Sequence, residues 1–323
     1  MKRSNNKSIP SAIITADIEL RMYPPVSRID NYWETLQRKI KWLKDLSESL
    51  QCPIFDGGDL FDKRYKQYPS HFLLQWAIKN LPPIFTVPGN HDLPGKTIEN
   101  YDNSAMSVLE AAGIIQTKDT FRINEKRIII HRIPYGQELK EPDWDFKEEK
   151  EFKKDTYFVL LFHGMIYDGN PPFPGCEGWE KNEVLKKFPN FDLIVTGDNH
   201  QTFTGQRKNT ILVNAGSLMR NDADQIDHRP CVFLWYPEEC RVEKKYIPIE
   251  QNVLSREHLE KAEEKEIRLS AFVEKLGQQV VEGINFEKNL EQFLLKNKVN
   301  QRIVDKVWEY YDNTNRIKTN TSL

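Results

Sequence analysis

The sequence predicts an α/β fold followed by a helical module, and three observations lead there. Short apolar runs rich in Val, Ile and Phe recur between residues 10 and 249, separated by apolar stripes at helical spacing. Most of these runs stop at an acid, amide or imidazole beside a glycine, the residue that lets a chain turn sharply. From about Ser255 the strand-like runs cease, and Leu, Ala, Phe and Val recur at helical spacing among Glu, Lys and Arg. Open α/β sheets place their chemistry outside the C-terminal ends of the strands, so the polar residues at those ends are the functional candidates.

The elements follow in order. Met1 to Ser8 is polar and basic with no apolar stretch after it, so residues 1–9 read as a frayed terminus and not a signal peptide. Ala12–Ala16 is the first strand, ending at Asp17 and Glu19, which strand alternation places on one face. Two carboxylates so placed repel unless a cation sits between them. Arg21 and Arg28 lie in the loop after it, either as phosphate contacts or as ordinary surface charges. Asp30 is positioned to cap a helix carrying Trp33, Leu36, Ile40, Leu43, Leu46 and Leu50.

Pro53–Phe55 is the second strand, ending in Asp56-Gly57-Gly58-Asp59-Leu60-Phe61-Asp62. Asp59 is placed to bridge two metals, while Asp56 and Asp62 suit holding loop backbone. Ser70–Asn80 is a helix with Phe72, Leu73, Trp76 and Ala77 inward. Ile84–Val87 is a buried strand delivering Pro88-Gly89-Asn90-His91-Asp92. There Asn90 can ligate a hard cation and His91 is free to move protons beside it. A short helix at Ala105–Ala112 and a hairpin over Phe121–Ile133 come next, with His131 read as a structural residue. Asp145–Thr156 is charged and helical. Tyr157–Phe162 is a strongly apolar strand ending in His163-Gly164; an irregular Gly/Pro-rich loop covers 168–178 and a helix 180–188. Asp192–Thr196 is a strand ending in Gly197-Asp198-Asn199-His200. Thr210–Val213 leads into Gly216-Ser217-Leu218-Met219-Arg220, and Cys231–Tyr236 pairs with Val242–Ile247. Helices at 285–295 and 301–311 belong to the C-terminal module, residues 250–323.

Composition narrows the function. Net charge is −2, so a nucleic-acid footprint would have to be local. The four cysteines have no CxxC spacing, which points to reduced thiols in a cytoplasmic protein and not a disulfide frame or zinc site. No apolar run is long enough to span a membrane.

Five strand ends thus carry ligand-type side chains: Asp17 with Glu19, Asp59, Asn90 with His91, His163, and Asp198 with His200. Carboxylate, amide and imidazole together suit Mn²⁺, Fe²⁺ or Zn²⁺, and scattered ligands that share one sheet edge suggest a dinuclear centre. The order of these motifs resembles the calcineurin-like metallophosphoesterases. Gly58-Asp59, Gly89-Asn90-His91-Asp92 and His163-Gly164 match that family's motifs directly. Within it, Gly58-Asp59-Leu60-Phe61-Asp62, Ile133-Pro134-Tyr135-Gly136 and Gly216-Ser217-Leu218-Met219-Arg220 look like segments of the SbcD-type DNA repair exonucleases.

The resemblance covers roughly residues 10 to 249 and implies a four-layer α/β/β/α sandwich. It implies one metal on Asp17, Glu19, Asp59 and His200, a second on Asp59, Asn90, His163 and Asp198, and His91 protonating the leaving oxygen or stabilising developing charge. Arg21, Arg28 and Arg220 are its candidate substrate contacts. It further implies DNA as substrate and an SMC-type, Rad50-like ATPase as partner docking on the C-terminal helices, in a bacterial or phage-infected cell, with a homodimer as an added option.

Two departures matter: Glu19 and Asp198 stand where the family has histidine, so four carboxylates face two cations. That favours Mn²⁺, or Mg²⁺, over Zn²⁺ and weakens attraction for phosphodiesters. The reading expected from the sequence is a Mn²⁺-dependent nuclease. Its rivals are a stand-alone phosphatase or phosphodiesterase and a non-catalytic, metal-stabilised binding protein.

Overall fold

The structure is a computed structural model describing residues 9–62, 69–147, 155–257, 267–270 and 286–320. Two compact units divide the chain, Met1–Leu254 and Ser255–Leu323. In the first, β1 (Ala12–Thr15), β2 (Ile54–Asp56) and β3 (Ile84–Phe85) run parallel, β12 (Cys231–Tyr236) pairs antiparallel with β1, and β13 (Arg241–Tyr246) pairs antiparallel with β12, in the order β13-β12-β1-β2-β3. A second sheet has the order β10-β11-β9-β6-β5-β4, built from β4 (Thr120–Ile123), β5 (Lys126–Ile133), β6 (Thr156–His163), β9 (Leu193–Gly197), β10 (Phe203–Arg207) and β11 (Thr210–Asn214). Its central strands β5, β6, β9 and β11 are parallel. A short ribbon pairs β7 (Ile166–Tyr167) with β8 (Trp179–Glu180).

Side-chain alternation turns these strands into four layers. Ile14 and Phe55 face Val159, Leu161, Val195 and Val213 in a core between the sheets, capped by Trp235. Ile13 and Ile54 point the other way, onto Leu36, Ile40 and Leu43 of α1 (Tyr32–Leu50) and Leu73 and Ala77 of α2 (His71–Asn80). On the far face, Phe158, Leu160 and Phe162 meet Val184 and Leu185 of α4 (Lys181–Lys187), with α3 (Ala105–Ala111) packed on the first sheet's side. Strands buried on both faces read as unbroken apolar runs, which is why Tyr157–Phe162 is so hydrophobic. His131 takes a structural place, 5.5 Å from Trp144 and 6.3 Å from Phe191 by ring centroids.

Several local expectations need correcting. Asn31, not Asp30, caps α1 by accepting from Glu34 N–H, because Asp30 is engaged by Arg28 and the Thr35 hydroxyl. Phe72 is 53% exposed, since the buried stripe of α2 runs through Leu73 and Ala77. The strands β7, β8 and β10 went unread: β7 and β8 are too short to show a period, and β10 is half polar. Of the charged stretch 145–156, residues 148–154 lie outside the described residues, and Thr156 already belongs to β6. Residues 1–8 and most of the helical run expected over 255–280 also lie outside them. In the second unit α5 (Phe286–Lys296) and α6 (Gln301–Asn320) are helical, with Leu290, Leu294 and Val307 buried. No described helix is long and apolar enough to cross a membrane.

Candidate metal centre

The parallel strands of both sheets end at one edge, and the loops that follow make the site. After β1 and β2 the two chains keep running side by side. Asp17 N–H donates to Gly58 O (3.1 Å), Glu19 N–H to Asp59 O (2.9 Å) and Leu20 N–H to Leu60 O (2.8 Å). The chain has left the strand by then. Asp17, Glu19, Asp59 and Asp198 all have positive φ, at 47°, 50°, 54° and 78°. Strand alternation therefore does not align Asp17 with Glu19; left-handed turns do. Such conformations cost on the order of 1–3 kcal/mol each in non-glycine residues and persist where the surroundings over-determine them. Gly57 and Gly89 allow the close approach, since a Cβ on Gly57 would meet the Thr196 backbone at 2.5 Å and one on Gly89 would collide with Asp59.

These turns bring the expected residues together. His163 Nε2 lies 3.4 Å from Asp59 Oδ2, 3.2 Å from Asn90 Oδ1 and 3.9 Å from Asp198 Oδ1. Asp198 N–H donates to Asp17 Oδ1 (2.9 Å), joining the two sheets across the site. His200 Nε2 is 3.7 Å from Glu19 Oε1. Ligand atoms of Asp17, Asp59 and His163 all fall within 4.8 Å of one another, as do those of Glu19, Asp62 and His91. His163 Nδ1 is 2.7 Å from Gly57 O, so it donates there and turns Nε2 toward the carboxylates. Asp56 and Asp92 hold the loops from below. Asp56 accepts from Gly58 N–H and the Thr86 hydroxyl, and Asp92 from the N–H groups of Leu60, Phe61 and Gly89.

So many buried charges perturb one another. Burial pushes Asp17 up to about 7, against the pull of His200 and His163. Burial likewise raises Glu19 and Asp198. Burial would lower His163 and His200, but Asp59 lifts the first well above the ordinary imidazole value and Glu19 lifts the second. Asp59 is held low despite its burial, because His163 sits beside it. The raised acids report their burial, and the raised histidines report the carboxylates around them.

The model of the calcineurin-like phosphoesterase family matches residues 13–202, more than half the chain. This chain is a calcineurin-like phosphoesterase. It is accordingly a metal-dependent hydrolase of phosphate esters, in a family that binds two divalent cations. Among solved structures it is similar to TT1561 of Thermus thermophilus, with 14% identity and a TM-score of 0.45 over 75% of this chain and 100% of that one. It is also similar to an archaeal phosphodiesterase, with 12% identity and a TM-score of 0.35 over 73% of this chain and 99% of that one. No curated protein matches it.

The donor set of this calcineurin-like phosphoesterase fits divalent cations. Asp17 Oδ2 is fully buried with no hydrogen-bond partner. A buried carboxylate oxygen without a donor is what a cation beside it would satisfy.

Beside the cluster, His91 Nδ1 lies 3.2 Å from Asp62 Oδ1, and Asp62 forms an ion pair with Arg21. The Asp62 hydrogen bond, against burial, raises His91 to about 9. The His91 backbone N–H also donates to Asp59 Oδ1 (2.8 Å), tying the two residues together. Asp62 thus serves His91 and Arg21 together. Arg21, Arg28 and Arg220 are 9%, 7% and 6% exposed, so none projects into open solvent as a substrate arm. Arg28 binds Asp30 and Arg220 O, and Arg220 binds Ile226 O and Glu250 O, so both guanidinium groups are spent on holding loops.

Proposed function

We propose that this phosphoesterase is a Mn²⁺-dependent DNA nuclease of the SbcD type that cleaves phosphodiester bonds. The observation that carries the reading is the convergence of Asp17, Asp59, Asn90, His163 and Asp198 at one sheet edge, with the Asp62–His91 pair beside them. Asp17, Glu19, Asp59 and His200 would hold one cation and Asp59, Asn90, His163 and Asp198 the other. Bound there, divalent cations supply Lewis-acid polarisation of a phosphoryl group and make water acidic enough to attack at neutral pH. Four carboxylates among the ligands support Mn²⁺ over Zn²⁺. The protein's own part is proton handling. His91, charged because Asp62 accepts from its Nδ1, presents Nε2 to protonate the departing oxygen, and Arg21 keeps Asp62 ionised and aligned. The motif segments around Asp62, Tyr135 and Arg220 support DNA over small phosphate esters.

The test is cleavage of labelled single- and double-stranded DNA with Mn²⁺, Mg²⁺ or chelator, comparing the native chain with His91→Ala. We expect Mn²⁺-dependent cleavage that drops about 10²–10⁴-fold in the variant. Full activity of His91→Ala would contradict the reading, and hydrolysis of p-nitrophenyl phosphate without DNA cleavage would replace it with a small-molecule phosphatase. The reading also assigns the unit Ser255–Leu323 to docking an SMC-type, Rad50-like ATPase. Co-purification with such an ATPase that survives deletion of this unit would refute that assignment.

A further inference from the structure

Glu19 is the ligand-type residue whose chemistry departs most from an imidazole, and the structure gives it a dedicated partner. Its carboxylate is buried, 4% exposed, and its two oxygens face different ways. Oε1 stands 3.7 Å from His200 Nε2, on the metal side. Oε2 accepts from Nδ2 of Asn221, a residue 202 positions away and 2% exposed.

The orientation of that amide is set by a directed relay. Arg21 Nε–H donates to the Tyr32 oxygen (3.3 Å), so the Tyr32 hydroxyl has its proton free to donate to Asn221 Oδ1 (3.2 Å). With Oδ1 accepting from Tyr32, Nδ2 must face Glu19. The backbone beneath Asn221 is equally well held. Asn221 O accepts from the Ser27 hydroxyl, Arg220 O from Arg28 (2.8 Å), and Leu218 O from Lys39 Nζ (2.7 Å). Asn221 N–H donates to Gln225 Oε1 (2.6 Å). A short polar side chain is thus pinned on a loop whose buried carbonyls are each tied down, aimed at one oxygen of one ligand. A free carboxylate can grip a cation with one oxygen or two. With Oε2 taken by an N–H donor, Glu19 has a single oxygen to offer, much as the single nitrogen of an imidazole would.

We propose that Asn221 is a positioning residue that holds Glu19 as a one-oxygen metal ligand and so sets the affinity of the half of the centre that Glu19 shares with His200. This rests on the metal-centre reading above. Outer partners that orient a ligand typically tune metal affinity by about 10–100-fold.

The experiment is titration of the metal-stripped full chain with Mn²⁺, followed by the electron paramagnetic resonance of free Mn²⁺ and by calorimetry. The native chain is compared with Asn221→Leu, which keeps the volume and removes the donor. The native chain should bind two equivalents. In Asn221→Leu one binding step should weaken about ten- to a hundredfold while the other stays within twofold. Tyr32→Phe, which removes only the hydroxyl that directs the amide, should weaken the same step to a smaller degree, and it carries the test if the Leu variant does not fold. A residue that merely stabilised the loop would lower the unfolding temperature and leave both binding steps alike; that result in both variants overturns the proposal while leaving the metal centre intact. A native chain that binds no Mn²⁺, Mg²⁺ or Zn²⁺ would overturn the metal centre itself and the proposal with it.

Discussion

Gly57→Ala tests the claim that the site depends on how closely the two sheets meet at their edge. A methyl built on Gly57 would lie 2.5 Å from the carbonyl carbon and oxygen of Thr196 and 2.7 Å from Gly197 N, where ordinary contact begins at 3.4 Å. The obstacle is backbone on both sides, so no side chain can swing away. The layers must part by roughly 1 Å, and overpacking of that kind typically costs about 1–3 kcal/mol. For a unit of this size each kcal/mol lowers the unfolding temperature by roughly 2–4 °C.

The functional effect should exceed the loss of stability. Gly57 O accepts from His163 Nδ1 at 2.7 Å, and Asp59 is two residues on, so parting the layers moves ligands of one sheet away from His163 and Asp198 of the other. Metal–ligand distances tolerate only about 0.2 Å. We expect at least a tenfold loss of Mn²⁺ affinity by calorimetry, with an unfolding temperature lower by roughly 2–12 °C in the metal-free protein. Gly205→Ala serves as control, because its methyl meets only the flexible ends of Leu185 (2.9 Å) and Lys181 (3.5 Å), far from the ligands. A Gly57→Ala protein that binds Mn²⁺ like the native chain and melts within a degree of it would refute the reasoning.

Two more expectations concern single buried charges. Burial, then Arg28 and Arg220, depress Lys39 to about 7 from an ordinary 10.5. A folded pKa below the unfolded value means that protonating Lys39 costs stability; the cost is fully present below about pH 7 and fades as pH rises toward 10.5. Lys39→Met should therefore be more stable than the native chain at pH 6.5, by at most about 5 kcal/mol less about 1 for the hydrogen bond to Leu218, and the advantage should shrink at pH 9.5; urea unfolding showing the same difference at both values would count against it. Asp62→Asn should keep both Mn²⁺ equivalents and reduce phosphodiester turnover about ten- to a hundredfold, since His91 loses its charged acceptor; unchanged turnover would show that the Asp62–His91 contact has no part in proton transfer.

The substitution of acids for histidines at positions 19 and 198 is less drastic in the fold than in the sequence. Asp198 stays 3.9 Å from His163, and its own N–H braces Asp17. Glu19 is disciplined by Asn221. Burial first of all raises the proton affinity of Asp17, Glu19 and Asp198.

What the chain determined locally was readable without coordinates. Apolar runs with the right period marked β1, β6, β9 and β12, and Gly89-Asn90-His91-Asp92 marked the edge at which chemistry would collect, because side-chain period and turn chemistry act over a few residues. The order of the candidate site residues along the chain was readable too, since each comes directly after its strand. What only the tertiary structure decided was every pairing across distant segments. The strand-end carboxylates meet through left-handed turns and not through alternation, a consequence of β1 and β2 continuing side by side after their strands end. Asp62 meets His91 across 29 positions, and Asn221 meets Glu19 across 202. Arg28 and Arg220 turn inward onto carbonyls of segments far from them in the chain, partners that exist only once the loops have met.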